Sequence, residues 1–112
     1  MRAIEAFNLG VTYLESNELE MAVLAFSEAI RLDPACAEAY NGRGVAYALK
    51  DQSDKAVADC CEAIRLAPRE SEFYRTRSLV YDALGEDAKA RMDLAMAEKL
   101  ATVKRNGAPN WL

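Results

Sequence analysis

Histidine is absent from this chain, and with it go the common zinc-ligand sets and the imidazole-based catalytic triads. Cysteine is scarce. Cys36, Cys60 and Cys61 are odd in number and lack a Cys-x-x-Cys spacing, so they make neither a disulfide framework nor a zinc site. Basic charge does not predominate: 14 Lys and Arg stand against 18 Asp and Glu, a net charge of -4, with no basic stripe for a phosphate backbone. No apolar run approaches membrane-spanning length, and Met1-Arg2 leads directly into an amphipathic stretch without the apolar core of a signal peptide. Also missing are a nucleophile with a base, a phosphate-cradling Gly-rich loop, and paired carboxylates at defined spacing. These absences lead us to expect a soluble, cytoplasmic, non-catalytic protein that needs no cofactor or metal and binds neither nucleic acid nor membrane.

Aromatics make up 8% of the 112 residues, yet the hydrophobic fraction is 52%, because Ala inflates it. That composition suits close helix packing and gives room for one modest core. The organising stretch runs from Ala37 to Glu70. Shifted back by 34 residues, it places Ala3, Gly10, Val11, Tyr13, Ala22, Val23, Ala29, Ile30, Leu32 and Pro34 on identical residues. Shifted forward equally, it does so with Glu72, Tyr74, Arg77, Tyr81, Lys89, Ala90, Asp93, Ala97 and Leu100, without insertion or deletion. The chain is therefore a repeat array.

The first unit carries Leu9, Gly10, Tyr13, Ala22, Phe26, Ala29 and Pro34; the second carries Tyr40, Gly44, Tyr47, Ala56, Ala63 and Pro68, with Arg43 and Cys60 at the Leu and Phe positions. The third keeps Tyr74, Tyr81, Ala90, Leu94 and Ala97, but has Ser78 for Gly and Thr102 for Pro. In these residues the chain resembles the tetratricopeptide repeat family. The resemblance implies an all-α fold: three helix-turn-helix hairpins, residues 3–36, 37–70 and 71–104, stacked as a short right-handed superhelix. It implies a single domain over 1–104, followed by an irregular tail over 105–112.

Helical periodicity places first helices at about 2–16, 37–50 and 70–84, and second helices at about 19–32, 53–67 and 87–103. Asp33-Pro34 and Ala67-Pro68 stop two of them, Gly85 stops another, and Ser53 has the chemistry of an N-cap. Gly10 is expected to let the paired helix approach at Ala22. Two columns vary together: Leu9, Arg43, Arg77 are followed sixteen residues later by Ala25, Asp59, Asp93. Arg and Asp make a planar, two-pronged pair, so these residues are expected to meet directly or across a repeat junction. Outer columns change character at the ends. Glu5 and Thr12 replace Ala39 and Ala46, while Arg91 and Glu98 replace Val57 and Ile64. Polar end faces of this kind would end the stack at three repeats and leave a monomer or weak homodimer.

The family lines its concave face with the first helix of each repeat. The resemblance therefore implies a groove for a partner protein or peptide, with Phe7, Asn8, Val11, Asn41, Val45, Arg75 and Leu79 as its binding residues. Val11, Val45 and Leu79 form an apolar line, Asn8 and Asn41 would hydrogen-bond a peptide backbone, and Arg75 would anchor one anionic group near the groove centre. A well-known subgroup grips chaperone-peptide carboxylates with Lys, Asn and Arg. The matching positions are Phe7, Val11, Gly42, Glu72 and Thr76, which lack those groups. The alternative is a self-associating module that uses its outer helices or the tail ending in Trp111 and Leu112.

Overall fold

The computed structural model describes residues 1–107; the tail candidates Trp111 and Leu112 lie outside the described residues. Six helices follow in order: Ala3–Glu15 (α1), Leu19–Leu32 (α2), Ala37–Leu49 (α3), Ser53–Leu66 (α4), Ser71–Ala83 (α5) and Asp87–Asn106 (α6). No strand occurs among the described residues. Each odd helix pairs with the next even one, and α2 and α4 pack in turn on α3 and α5. The first helices also touch in series, α1 on α3 and α3 on α5, whereas α2, α4 and α6 make no contact with one another. An inner layer tighter than the outer one bends the stack, so α1, α3 and α5 form the concave side of an α-solenoid.

The turn inside each hairpin is built the same way three times. Asn17 (φ 59), Asp51 (φ 60) and Gly85 (φ 76) adopt the left-handed conformation, which these three residue types tolerate best. Behind them, the N–H groups of Glu18, Gln52 and Glu86 donate to the carbonyls of Tyr13, Tyr47 and Tyr81 at 2.8, 2.9 and 2.9 Å. This closure places Gln52 alone between Asp51 and the next helix. Gln52 is therefore the N-cap of α4, without a side-chain cap bond, and Ser53 is the first helical residue instead of the cap the sequence predicts. At the other end, α6 continues to Asn106, so 105 and 106 are helical where an irregular tail is predicted. Thr102 stands where Pro would stop the chain, Lys104 and Arg105 suit the negative end of the helix dipole, and Gly107 (φ 83) ends it.

Phe26 is 0% exposed and the largest side chain that is fully enclosed. An added Cβ on Gly10 or on Gly42 would meet its ring at 2.6 Å, so the ring is held between two helices that have no side chain there. The atoms nearest to the side-chain position of Gly10 are thus those of the Phe26 ring, on the same helix as Ala22. In the second repeat Cys60 takes the place of Phe26, and the Gly44 position lies 3.3 Å from its sulfur. The smaller residue lets Thr76 stand where Gly42 stands one repeat earlier. In the third, Ser78 replaces the glycine and donates to the Ala90 carbonyl at 2.8 Å, which satisfies its buried hydroxyl.

Both predicted charge pairs form, each with two prongs. Arg43 Nε and Nη2 donate to Asp59 at 2.9 and 2.8 Å; Arg77 donates to Asp93 at 2.8 and 2.8 Å. The third nitrogen crosses the junction: Arg43 Nη1 donates to Ser27 Oγ at 3.2 Å and Arg77 Nη1 to Cys61 Sγ at 3.4 Å. Arg43 also lies against the rings of Tyr40 and Tyr47, and Arg77 against Tyr74 and Tyr81, at 5.7–5.9 Å. The end columns behave as the repeat logic requires. Ala39, Ala46, Phe73 and Val80 are buried between repeats, whereas Glu5, Thr12, Arg91 and Glu98 are exposed.

The Asp59 and Arg43 side chains are only 9% and 22% exposed, so removing one partner strands a half-buried charge. Asp59→Ala alone should cost on the order of 3 kcal/mol. Combined with Arg43→Leu, which recreates the Leu9 and Ala25 pair, the loss should fall about 1–3 kcal/mol short of the two single losses added together. Strict additivity in urea unfolding would show that the pair is not coupled. For the ring contact, Gly10→Ala should destabilise by about 1–3 kcal/mol through overpacking. In a Phe26→Cys background the same change should be neutral or stabilising, since Ala is then the better helix former by about 1 kcal/mol.

Candidate functional site

Two adjoining hollows lie on the concave side, and a third opens beside them at the C-terminal end of the stack, between α5 and α6. The central one, about 260 Å³, has Phe7, Val11 and Leu14 of α1 on one wall and Glu72 and Phe73 of α5 on the other. Glu38, Asn41, Gly42 and Val45 lie between them on one face of α3, at helical spacing, and Phe26 forms part of the floor. A second hollow of about 250 Å³ lies between Val45 and Leu49 of α3 and Thr76 and Leu79 of α5. The third, about 420 Å³, is bounded by Arg75, Leu79 and Asp82 of α5 and by Asp87, Arg91 and Leu94 of α6.

Of the predicted site residues, Phe7, Val11, Asn41 and Val45 converge on the central hollow, and Leu79 borders the other two. Arg75 is displaced from the predicted centre to the third hollow, because α5 is the last inner helix and opens toward α6. Asn8 is exposed and borders none of the three. It shares the column of Gly42, which turns toward the preceding repeat, and α1 has no preceding repeat among the described residues. Asn41, predicted as a hydrogen-bonding group at the surface, is only 6% exposed. Its amide oxygen Oδ1 is buried without a hydrogen-bond partner. Glu38 and Glu72 line the central hollow, and neither is in an ion pair among the described residues. Their shared column, Ile4, Glu38, Glu72, was the signal available in the sequence.

The cysteines supply no prepared nucleophile. Cys60 is enclosed, and burial pushes its thiol from the ordinary 9.0 up to about 12, with the neighbouring Cys61 and Asp59 adding to the shift. Cys61 is exposed on the outer helix, away from the concave hollows.

A curved stack of helical hairpins with an apolar, polar-edged inner groove defines a helical-repeat scaffold for protein interaction. Residues 10–51 match a family profile described as TPR repeat, and residues 37–70 one described as Tetratricopeptide repeat. The TPR2B domain of yeast Sti1, solved in complex with pHsp70, is 30% identical over 94% of this chain and 84% of its own, with a TM-score of 0.89. The chain belongs to the tetratricopeptide repeat family. The second TPR of Spaghetti (RPAP3), bound to the HSP90 peptide SRMEEVD, is 25% identical over 89% of this chain and 93% of its own, with a TM-score of 0.85. MamA shares the fold at 24% identity and a TM-score of 0.87; the match covers 95% of this chain but 62% of MamA. No curated protein matches in sequence. No described helix is long and apolar enough to cross a membrane.

The Cys60 shift has a consequence for stability. Between pH 9.0 and about 12 the unfolded chain releases the Cys60 proton while the folded chain keeps it. Stability therefore falls as pH rises through this window, by up to about 1.4 kcal/mol per unit. A Cys60→Ala variant should lack this limb of the pH profile. Alkylation mapped by mass spectrometry at pH 8 should label Cys61 in the folded protein and Cys60 only after unfolding.

Proposed function

We propose that this chain is a non-catalytic protein-interaction module, an adaptor or scaffold that holds a segment of a partner protein along its concave groove. The observation that carries this reading is the continuity of the hollows. Val45 is common to the central and second hollows, and Leu79 to the second and third. With Val11 in the first, they make an apolar line across all three repeats, along which apolar side chains of an extended or helical peptide would lie. Arg75, exposed at the C-terminal hollow beside Asp82 and Asp87, accepts a single anionic group there more readily than an acidic run.

The family relatives solved with chaperone peptides support peptide capture as a mode of action. The peptide itself is a different matter. At the positions matching the carboxylate clamp, Phe7, Val11, Gly42, Glu72 and Thr76 offer no cation, and Glu72 opposes a carboxylate. Affinity should be modest, roughly micromolar, because the groove is short and ordering a free peptide opposes binding.

Leu79 is 69% exposed and Arg75 is also exposed, so changing them leaves the core intact. Leu79→Glu with Arg75→Glu should abolish partner capture by the immobilised protein while helicity and melting stay close to wild type. Met92→Glu on the exposed side of α6 should retain capture. If the groove variant retrieves the same proteins as wild type, the binding surface is not the concave one.

A further inference from the structure

The central hollow combines three features that repeat packing does not explain together. Asn41, one of its lining residues, is 6% exposed, and its Oδ1 is buried without a donor among the described residues. Leaving such an atom unpaired is costly, and among buried groups it is the exception that calls for a partner from outside the fold. Two carboxylates, Glu38 and Glu72, border the same hollow without an ion-pair partner. Each lies in the first turn of its helix, where a negative charge suits the helix dipole, and there its oxygens stay open to a ligand. The rest of the lining is apolar, chiefly Phe7, Val11 and Val45.

An apolar sleeve with acceptors and negative charge, and no cation, fits one class of group: a long apolar stem ending in a positively charged donor. We infer that the central hollow receives a lysine or arginine side chain of the partner segment. The stem runs along Phe7, Val11 and Val45, as long basic side chains do when they lie over apolar surface. The head lies between Glu38 and Glu72 and supplies the hydrogen bond that Asn41 Oδ1 lacks. An ammonium has three donors for these three acceptors, and a guanidinium has five. This inference rests on the concave groove being the binding face, and it names the residue class at its centre. It also reverses the charge preference expected from a peptide such as SRMEEVD, which carries three carboxylate side chains that Glu38 and Glu72 would repel.

The experiment is selection from a displayed library of random dodecapeptides on the full chain, with Leu79→Glu/Arg75→Glu as the counter-selection for groove dependence. Groove-dependent peptides should be enriched in Lys or Arg between apolar residues. A selected peptide should bind about tenfold more weakly when that residue is replaced by Ala, and this difference should vanish on Glu38→Gln/Glu72→Gln. Both glutamates are exposed, so the amide variants keep the fold, which circular dichroism verifies. Asn41→Leu should raise the melting temperature, by removing an unpaired buried polar group, and yet weaken the basic peptide. Groove-dependent peptides without a basic residue, or with equal affinity for the Gln variant, would overturn the inference while leaving the groove in place. Failure to enrich any groove-dependent peptide would overturn both.

Discussion

Most of this structure depends on one aromatic ring having room. Phe26 fills the junction between the first two repeats only because Gly10 and Gly42 withdraw from it on either side. Interiors pack at near-crystalline density, so a ring of that size must be matched by missing volume on its neighbours. The other repeats solve the same constraint with different residues. Cys60 needs less space, and Thr76 then replaces the second glycine; in the third repeat Leu94 takes the Phe26 position, and Ser78, in place of the first glycine, donates its hydroxyl to the Ala90 carbonyl. The absence at Gly42 has a second effect, since it leaves Phe26 as part of the floor of the central hollow. Core and groove are therefore two sides of one packing solution.

The Arg–Asp forks act at the next level. A helical-repeat stack holds together through contacts between neighbouring units, since no unit touches a distant one. Arg43 joins α3 to α4 through Asp59 and both to α2 through Ser27; Arg77 does the same through Asp93 and Cys61. Each guanidinium thus couples the internal closure of a hairpin to its docking on the one before. The first hairpin has no earlier neighbour among the described residues, and there Leu9 and Ala25 replace the pair. The covariation of those columns follows from that geometry.

The period, the hairpins and the Arg–Asp pairs were legible because each repeats in register, and a column of three is a stronger signal than any single residue. The turn chemistry was less so. Asn17, Asp51 and Gly85 form one conformational column, but they share no side-chain chemistry, only tolerance of positive φ. Ser53 drew the cap assignment because a serine before a helix is usually the cap, and only the carbonyl bonding of Gln52 N–H to Tyr47 shows otherwise. The end of α6 hid behind a missing proline. In the groove, the column of Phe7, Asn41 and Arg75 borders hollows, Phe7 and Asn41 the central one and Arg75 the third. It did not give depth, which depends on how far the next helix covers each position: Phe7 is half-buried, Asn41 enclosed and Arg75 exposed.

That last column belongs to the face proposed here for binding. Two columns that pack the solenoid stay constant, Ala22, Ala56 and Ala90, and Ala29, Ala63 and Ala97, all of them buried. On the inner face the column Val11, Val45, Leu79 stays apolar, whereas three others diverge: Ile4, Glu38, Glu72; Phe7, Asn41, Arg75; Asn8, Gly42, Thr76. A repeat that only had to stack would gain nothing from placing two carboxylates and a buried, unpaired amide at the middle of its concave side. Asn41 Oδ1, unpaired among the described residues, should lower stability in the isolated chain, and a partner that supplied a donor would recover the loss on binding. The charges also differ along the groove: Glu38 and Glu72 stand at the centre, and Arg75 and Arg91 are mixed with Asp82 and Asp87 toward α6. A segment laid along it would be read in order, a basic residue in the middle and an anionic group at the α6 end, with the apolar line of Val11, Val45 and Leu79 setting its register.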